Sequence, residues 1–235
     1  MYMKNSIITF GFLLLMVSFP VGSILNGQNG QAEPQKHSKN RPTLGMQLGS
    51  ASWINISDDI DHVVGTSGNM EGLFPIKSYG SFDILTGFNI YIERHFVDGV
   101  FNEVNQEESR ASFIPSPDNY KNNTFTLLYL GLPIDLRYRL NDEYDSYFTF
   151  GYRFGYKVWD RHSYRVGNET INESIDGINS FRSDFRFSWG RFLNPCNKPK
   201  PGISSFSLGG FYQLNGLALD GEVNNWGLFI GLTFE

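Results

Sequence analysis

A single cysteine, Cys196, in a chain of 235 residues excludes an intramolecular disulfide framework. Histidine is equally scarce. His37, His62, His95 and His162 have no metal-ligand spacing, and no stretch reads as a nucleophile motif. No cofactor or metal is therefore expected, and no catalytic residue is assigned. Basic side chains are the minority, with 19 Lys and Arg against 24 Asp and Glu for a net charge of -5, so nucleic acid is not an expected partner. Long apolar runs are missing after the first 25 residues, and mean hydropathy is only -0.28. What the chain has in quantity is 21 Phe, 12 Tyr and 25 Gly. Abundant aromatics and glycine in short alternating segments suit a β-barrel with interfacial girdles, whose mean hydropathy stays low because half of every strand is polar.

The pattern is clearest from Thr124 to Val158. Leu128, Leu130, Leu132, Ile134, Leu136, Tyr138 and Leu140 share one parity, against Tyr129, Gly131, Pro133, Asp135, Arg137 and Arg139 on the other. After Asn141–Asp145 the second arm places Phe148, Phe150, Tyr152, Phe154, Tyr156 and Val158 opposite Tyr147, Thr149, Gly151, Arg153, Gly155 and Lys157. A period of two means extended strand, because successive side chains point to opposite faces. In a soluble sandwich the apolar face would be hidden; in a transmembrane barrel it meets lipid, over strands of roughly 9–11 residues or more. The whole chain favours the second arrangement, an all-β, eight-stranded antiparallel outer-membrane barrel.

In order, residues 1–25 read as a secretory signal peptide, with Lys4 in the n-region and an apolar core from Ser6 to Phe19. Cleavage is expected between residues 23 and 32, and residues 26–42 form a polar, disordered periplasmic lead-in. The barrel is expected over 43–235. Its predicted strands are Thr43–Trp53, Ser81–Phe96, Val100–Gln106, Thr124–Leu140, Tyr147–Val158, Gly177–Gly190, Ser204–Leu214 and Asn225–Phe234. A parity break at Ser50–Trp53 suggests a bulge. Asn55–Tyr79, Glu107–Asn123 and Asp160–Asp176 read as outer loops, and Asp98-Gly99 as a tight turn on the periplasmic side. Two aromatic belts result, with Trp53, Trp159 and Trp226 outside and Tyr138, Phe148, Trp189 and Phe234 inside.

The run Tyr129-Leu130-Gly131-Leu132-Pro133-Ile134-Asp135-Leu136-Arg137-Tyr138-Arg139 resembles the proline-containing strand of small outer-membrane barrels of Bacteroidota, labelled PorT-like or porin-family proteins. The C-terminal Gly231-Leu232-Thr233-Phe234-Glu235 resembles that family's terminal strand. The resemblance implies a bacterial outer-membrane location and an insertion sequence at Trp226, Leu228, Ile230, Leu232 and Phe234, read by the barrel-assembly machinery. It also implies a partner in a secretion or envelope assembly. The fold itself does not fix an activity.

The inward parity gathers Asp83, Glu93, Asp135, Arg137, Arg139, Arg153, Lys157, Arg182, Asp184 and Arg186 into an expected lumen network, with Arg137 pairing Asp135 or Asp184. Eight strands leave only enough room for side chains to fill the interior, so a plugged, non-enzymatic barrel with a structural or interaction role is the expectation. The alternative is a small-solute channel, or a lipid-active barrel using a rim His and Ser. His62 and His162 lie beside Asp61, Asp160 and Ser163, but both read as exposed loop residues.

Overall fold

The computed structural model describes residues 42–54, 62–97, 99–102, 112–115, 120–140, 146–175, 177–193, 202–217 and 223–234. The expected signal peptide, the lead-in up to residue 41, Asp98 and Cys196 lie outside the described residues. Eleven strands follow in sequence: β1 Thr43–Ile54, β2 His62–Tyr79, β3 Phe82–Val97, β4 Gly99–Asn102, β5 Ser112–Pro115, β6 Tyr120–Arg139, β7 Ser146–Val166, β8 Glu169–Glu173, β9 Phe181–Phe192, β10 Ile203–Gln213 and β11 Asn224–Phe234. The antiparallel order β6-β3-β2-β1-β11-β10-β9-β7 is closed by β6 pairing with β7, so eight strands form a ring without an edge. β8 extends β7 beyond one rim, and β4 and β5 make a separate hairpin. No strand edge of the ring itself is left to template aggregation.

The outside is apolar because one parity of each strand points there. Leu132 is 60% exposed, Leu228 60%, Ile230 61% and Phe154 51%. The opposite parity is buried. The shortest connection is at the rim that carries residues 42 and 234, here the terminal rim, and the two longest, 98–119 and 167–180, are at the distal rim. The tightest, Gly80-Ser81, places Gly80 at φ +56°, in the left-handed region that glycine enters without a Cβ clash.

Several expectations change. Asn55–Tyr79 is not one long loop, since His62–Tyr79 forms β2 and joins the ring between β1 and β3. Val100–Gln106 is not a barrel strand: Gly99–Asn102 pairs only with β5, itself inside the expected loop 107–123. Gly99 therefore opens the β4 hairpin strand rather than closing a periplasmic turn. The eight-strand count survives because these two changes cancel. The expected loop 160–176 instead carries β7 to Val166 and then β8. β1 is regular through its outer half, because Gly49↔Phe229 and Ser52↔Trp226 keep one register. No bulge exists there, and Trp53 is buried inside the barrel rather than standing in the outer belt.

Pro133 is accommodated at a price of ladder pairing. The β3–β6 register runs to Thr86↔Ile134 and resumes at Asn89↔Gly131, and the Thr86 hydroxyl donates to the Pro133 carbonyl at 2.9 Å. Pro75 sits at the other device available to proline, a register shift between Pro75 and Lys77.

Candidate functional site

The barrel interior is built from inward positions of all eight ring strands, and it is layered. Nearest the terminal rim, Arg139 on β6 grips Asp83 on β3 through Nε at 2.9 Å and Nη2 at 2.6 Å, and the Ser78 hydroxyl donates to the same carboxylate at 2.6 Å. In the next layer Arg186 on β9 bridges two acids. Its Nη1 donates to Glu71 at 2.5 Å, its Nε to Asp135 at 3.0 Å, and its Nη2 also bonds Asp135. Gln47 and Asn69 donate to the remaining Glu71 lone pairs at 3.1 and 3.2 Å. Glycine makes room here: a Cβ on Gly151 would lie 2.1 Å from Asp135 Oδ1 and 2.7 Å from Arg186 Nε.

The central layer is denser. Arg182 Nη1 donates to Glu93 at 2.5 Å and its Nε to Asp184 at 2.8 Å, while Arg153 Nε reaches Asp184 at 2.7 Å. Tyr91 donates to Glu93 at 3.2 Å, and Asn225 also bonds that carboxylate. Both guanidinium groups stack on Tyr91, at 4.0 Å for Arg153 and 4.5 Å for Arg182. Charges taken out of water in this way cost free energy unless paired and hydrogen-bonded, and stacked arginines gain further from the ring faces. Among the described residues the interior so holds five carboxylates, Glu71, Asp83, Glu93, Asp135 and Asp184, against five arginines, 137, 139, 153, 182 and 186. Its formal charge balances.

Toward the distal rim the filling becomes apolar. Trp53 stacks on His95 with centroids 4.2 Å apart and lies 5.5 Å from Phe125, which stacks on His162 at 4.3 Å. Ala51, Leu127, Ile175, Ile178, Leu217 and Val223 join these rings in one buried cluster. The links at the distal rim are tied down over it, with Asn179 N–H donating to Leu217 O at 2.8 Å and Lys157 Nζ to Ile178 O at 3.3 Å. Two gaps within the barrel measure about 30 and 10 Å³, room for one or two waters.

Each expected network residue thus has a place. Asp83, Glu93, Asp135, Arg153, Arg182, Asp184 and Arg186 are buried inside, and Arg139 is half-buried beside Asp83. Lys157 stands apart at the distal rim, paired with Asp160 at 2.7 Å. Arg137 does not pair with Asp135 or Asp184; it stacks over Tyr147 at 4.7 Å and Phe192 at 6.0 Å. Asp135 belongs to Arg186, and Asp184 to Arg153 and Arg182. Residues that the sequence reading missed are Gln47, Asn69, Glu71, Tyr91 and Asn225. For Gln47, Asn69, Tyr91 and Asn225 the signal was inward parity combined with hydrogen-bonding capacity rather than charge, and Glu71 was missed together with β2.

His162 is a buried strand residue, not an exposed loop residue. Its Nδ1 lies 3.0 Å from Glu173 and its Nε2 3.3 Å from Asn123 Oδ1. Burial lowers its pKa below the ordinary histidine value, with the Glu173 hydrogen bond opposing. Burial pushes the Asp160 carboxyl up, yet donors on Lys157, Ile175 and Ser174 outweigh it and hold the group below the usual range. Ser163 projects from β7 on the parity opposite His162, so the two do not form a nucleophile and base. His62 opens β2, and its side chain lies outside the described residues. No cluster of metal-ligating groups occurs among the described residues.

A ring of eight antiparallel strands with an apolar exterior and a charged, filled interior is the fold of an outer-membrane β-barrel. No protein-family model and no curated protein matches the chain. Among solved structures it is similar to Neisserial surface protein A, at 11% identity and a TM-score of 0.46 over 82% of this chain and 96% of that one. It is also similar to Ail, the attachment invasion locus protein of Yersinia pestis, at 10% identity and a TM-score of 0.40 over 82% and 98%.

Proposed function

We propose that the chain is a non-enzymatic barrel of the bacterial outer membrane whose interior is sealed and whose work is done on its outer surface and rims. The observation that carries this reading is the filled interior: among the described residues five acids and five arginines, capped distally by the Trp53–His95–Phe125–His162 stack, with gaps of about 30 and 10 Å³ between them. An exterior that is apolar around the ring, though sparse in large side chains across the mid-span of β2, supports insertion in a bilayer, and the sequence Trp226–Phe234 supports delivery through the barrel-assembly machinery. With the terminal rim in the periplasm, the two-residue turn Gly80-Ser81 lies inside and the two longest links, 98–119 and 167–180, lie outside, as expected for outer-membrane barrels. The partner we infer is a protein of a secretion or envelope assembly, on the strength of the PorT-like strand Tyr129–Arg139. A solute channel would need the network dismantled, and a lipid-active site would need a serine that His162 does not face.

Planar-bilayer recording of the folded full-length protein tests this. The expected result is no unitary conductance from preparations whose heat-modifiable gel mobility shows a folded barrel. Stable channel openings would overturn the sealed interior. Fractionation away from the outer membrane would overturn the location.

A further inference from the structure

The apolar exterior is interrupted at the same level on three adjacent strands, and arginine stands there on two of them. Ile92 on β3, Leu128 on β6 and Trp159 on β7 form one cross-strand row, since Ile92 pairs with Leu128 and Leu128 with Trp159. The next outward row toward the distal rim is Arg94, Thr126 and Arg161, again in register. Both arginines are exposed. Each lies against an aromatic ring of its own strand, Arg94 at 5.3 Å from Phe96 and Arg161 at 5.4 Å from Trp159. Two strand spacings separate them, about 10 Å.

Neither arginine has a carboxylate partner among the described residues. The nearest acids are committed elsewhere, Asp160 to Lys157 and Glu173 to His162. Further out on the same wall come Phe96, Ser163, Arg165 and Lys121, with no acid on this outward parity of β3, β6 and β7 among the described residues. In a chain of net charge -5 this is a local reversal of sign. The opposite wall has none of it, since the outward position beyond Trp226 on β11 is Asn224.

We propose that the Arg94–Thr126–Arg161 row binds the phosphate groups of an anionic, multiply acylated glycolipid in the outer leaflet. The apolar band below, Ile92, Leu128, Trp159 and their neighbours, takes the acyl chains, and the two guanidinium groups grip phosphate at the level where headgroups begin. Arginine is suited to this because its planar fork matches phosphate oxygens, and a ring of the same strand, Phe96 just beyond Arg94 and Trp159 just below Arg161, holds each one at the interface. The proposal rests on the outer-membrane reading above, and goes beyond it by assigning one wall to one lipid chemistry.

The test reconstitutes the folded full-length protein in phosphatidylcholine vesicles doped with lipid A or with its phosphate-free counterpart of the same acylation, and quantifies the glycolipid that co-purifies after mild detergent extraction. Wild type should retain lipid A over the phosphate-free form. Arg94→Gln with Arg161→Gln should weaken retention about thirty-fold, from roughly five-fold for each basic side chain at a membrane surface. Arg191→Gln, an exposed arginine at the terminal rim, should leave it unchanged. Equal retention of both glycolipids, or a double variant that retains lipid A like wild type, overturns the proposal, as does competition by a soluble protein partner in place of lipid. Heat-modifiable mobility in undoped vesicles reports insertion separately: its loss sinks the membrane reading, whereas insertion without lipid preference sinks only this one.

Discussion

Replacing Arg186 by Met removes the cation that two buried acids share. Asp135 is 2% exposed and Glu71 5%. Glu71 keeps its donors Gln47 and Asn69, but every hydrogen bond recorded to Asp135 comes from Arg186. Arg186→Met therefore leaves Asp135 with only the more distant attraction of Arg137 and half-strands Glu71, and removing one partner of a buried pair typically costs about 3–5 kcal/mol. Adding Asp135→Asn deletes the stranded charge and should recover much of that loss; adding Glu71→Gln should recover more. Urea titration of the barrel in lipid vesicles, followed by tryptophan fluorescence and gel mobility, measures the differences. Should Arg186→Met fail to fold, the recovery of folding yield in the double variant reads the same coupling. A loss under about 1 kcal/mol, the size of a solvent-screened pair, would refute the sealed interior. So would a double variant no better than the single one.

The remaining expectations span both faces and the distal rim. Leu132→Arg, on the lipid face at mid-span, should cost about 2–4 kcal/mol in the same titration, with no interior substitution able to rescue it. Arg137→Met should cost less than Arg186→Met, because it gives up stacking on Tyr147 and Phe192 rather than an ion pair. Gly151→Ala should cost about 1–3 kcal/mol by overpacking the Asp135–Arg186 contact, read as a lowered urea midpoint. The folded state binds His162's proton less readily than the unfolded chain does, so the distal hairpin should lose stability as pH falls below about 6.5. Asp160, held low, adds a second loss further into acid. Amide exchange along Arg161–Val166 should show both steps in wild type and only the acidic one in His162→Gln.

The strands legible in the sequence are those whose outward parity is uninterrupted, such as Leu128–Tyr138 on β6 and Trp226–Phe234 on β11. β2 was hidden for physical reasons. Its outward positions at mid-span are Thr66, Gly68, Met70 and Gly72, too small or too polar to mark a lipid face, and two register shifts break its period. Its inward Ser67, Asn69 and Glu71 then looked like loop polarity. Missing β2 also removed half of the Arg186 layer from view, since Glu71 and Asn69 come from it. Trp53 misled in the opposite sense: aromatic residues at a strand end suit either an interfacial belt or a distal plug, and parity alone decides. Its neighbours in space, His95, Phe125 and His162, are 42 to 109 residues away, and nothing local announces that they stack.

The order of the layers constrains where function can reside. The charged layers, from Asp83–Arg139 to Glu93–Arg182, are covered toward the distal rim by the Trp53, His95, Phe125 and His162 rings, and His95 Nε2, 3.6 Å from Glu93, joins the two layers. The distal links that cover those rings meet them through Ile175, Ile178, Leu217 and Val223, apolar contacts that hold the links in place without tying them to the charge network. If the proposed surface role holds, substitutions on the solvent side of these links should alter recognition while leaving the interior pairs intact, and substitutions in the pairs should alter stability. The Arg94–Arg161 row sits on neither; it faces outward at the boundary and is free to take a partner that only the membrane supplies.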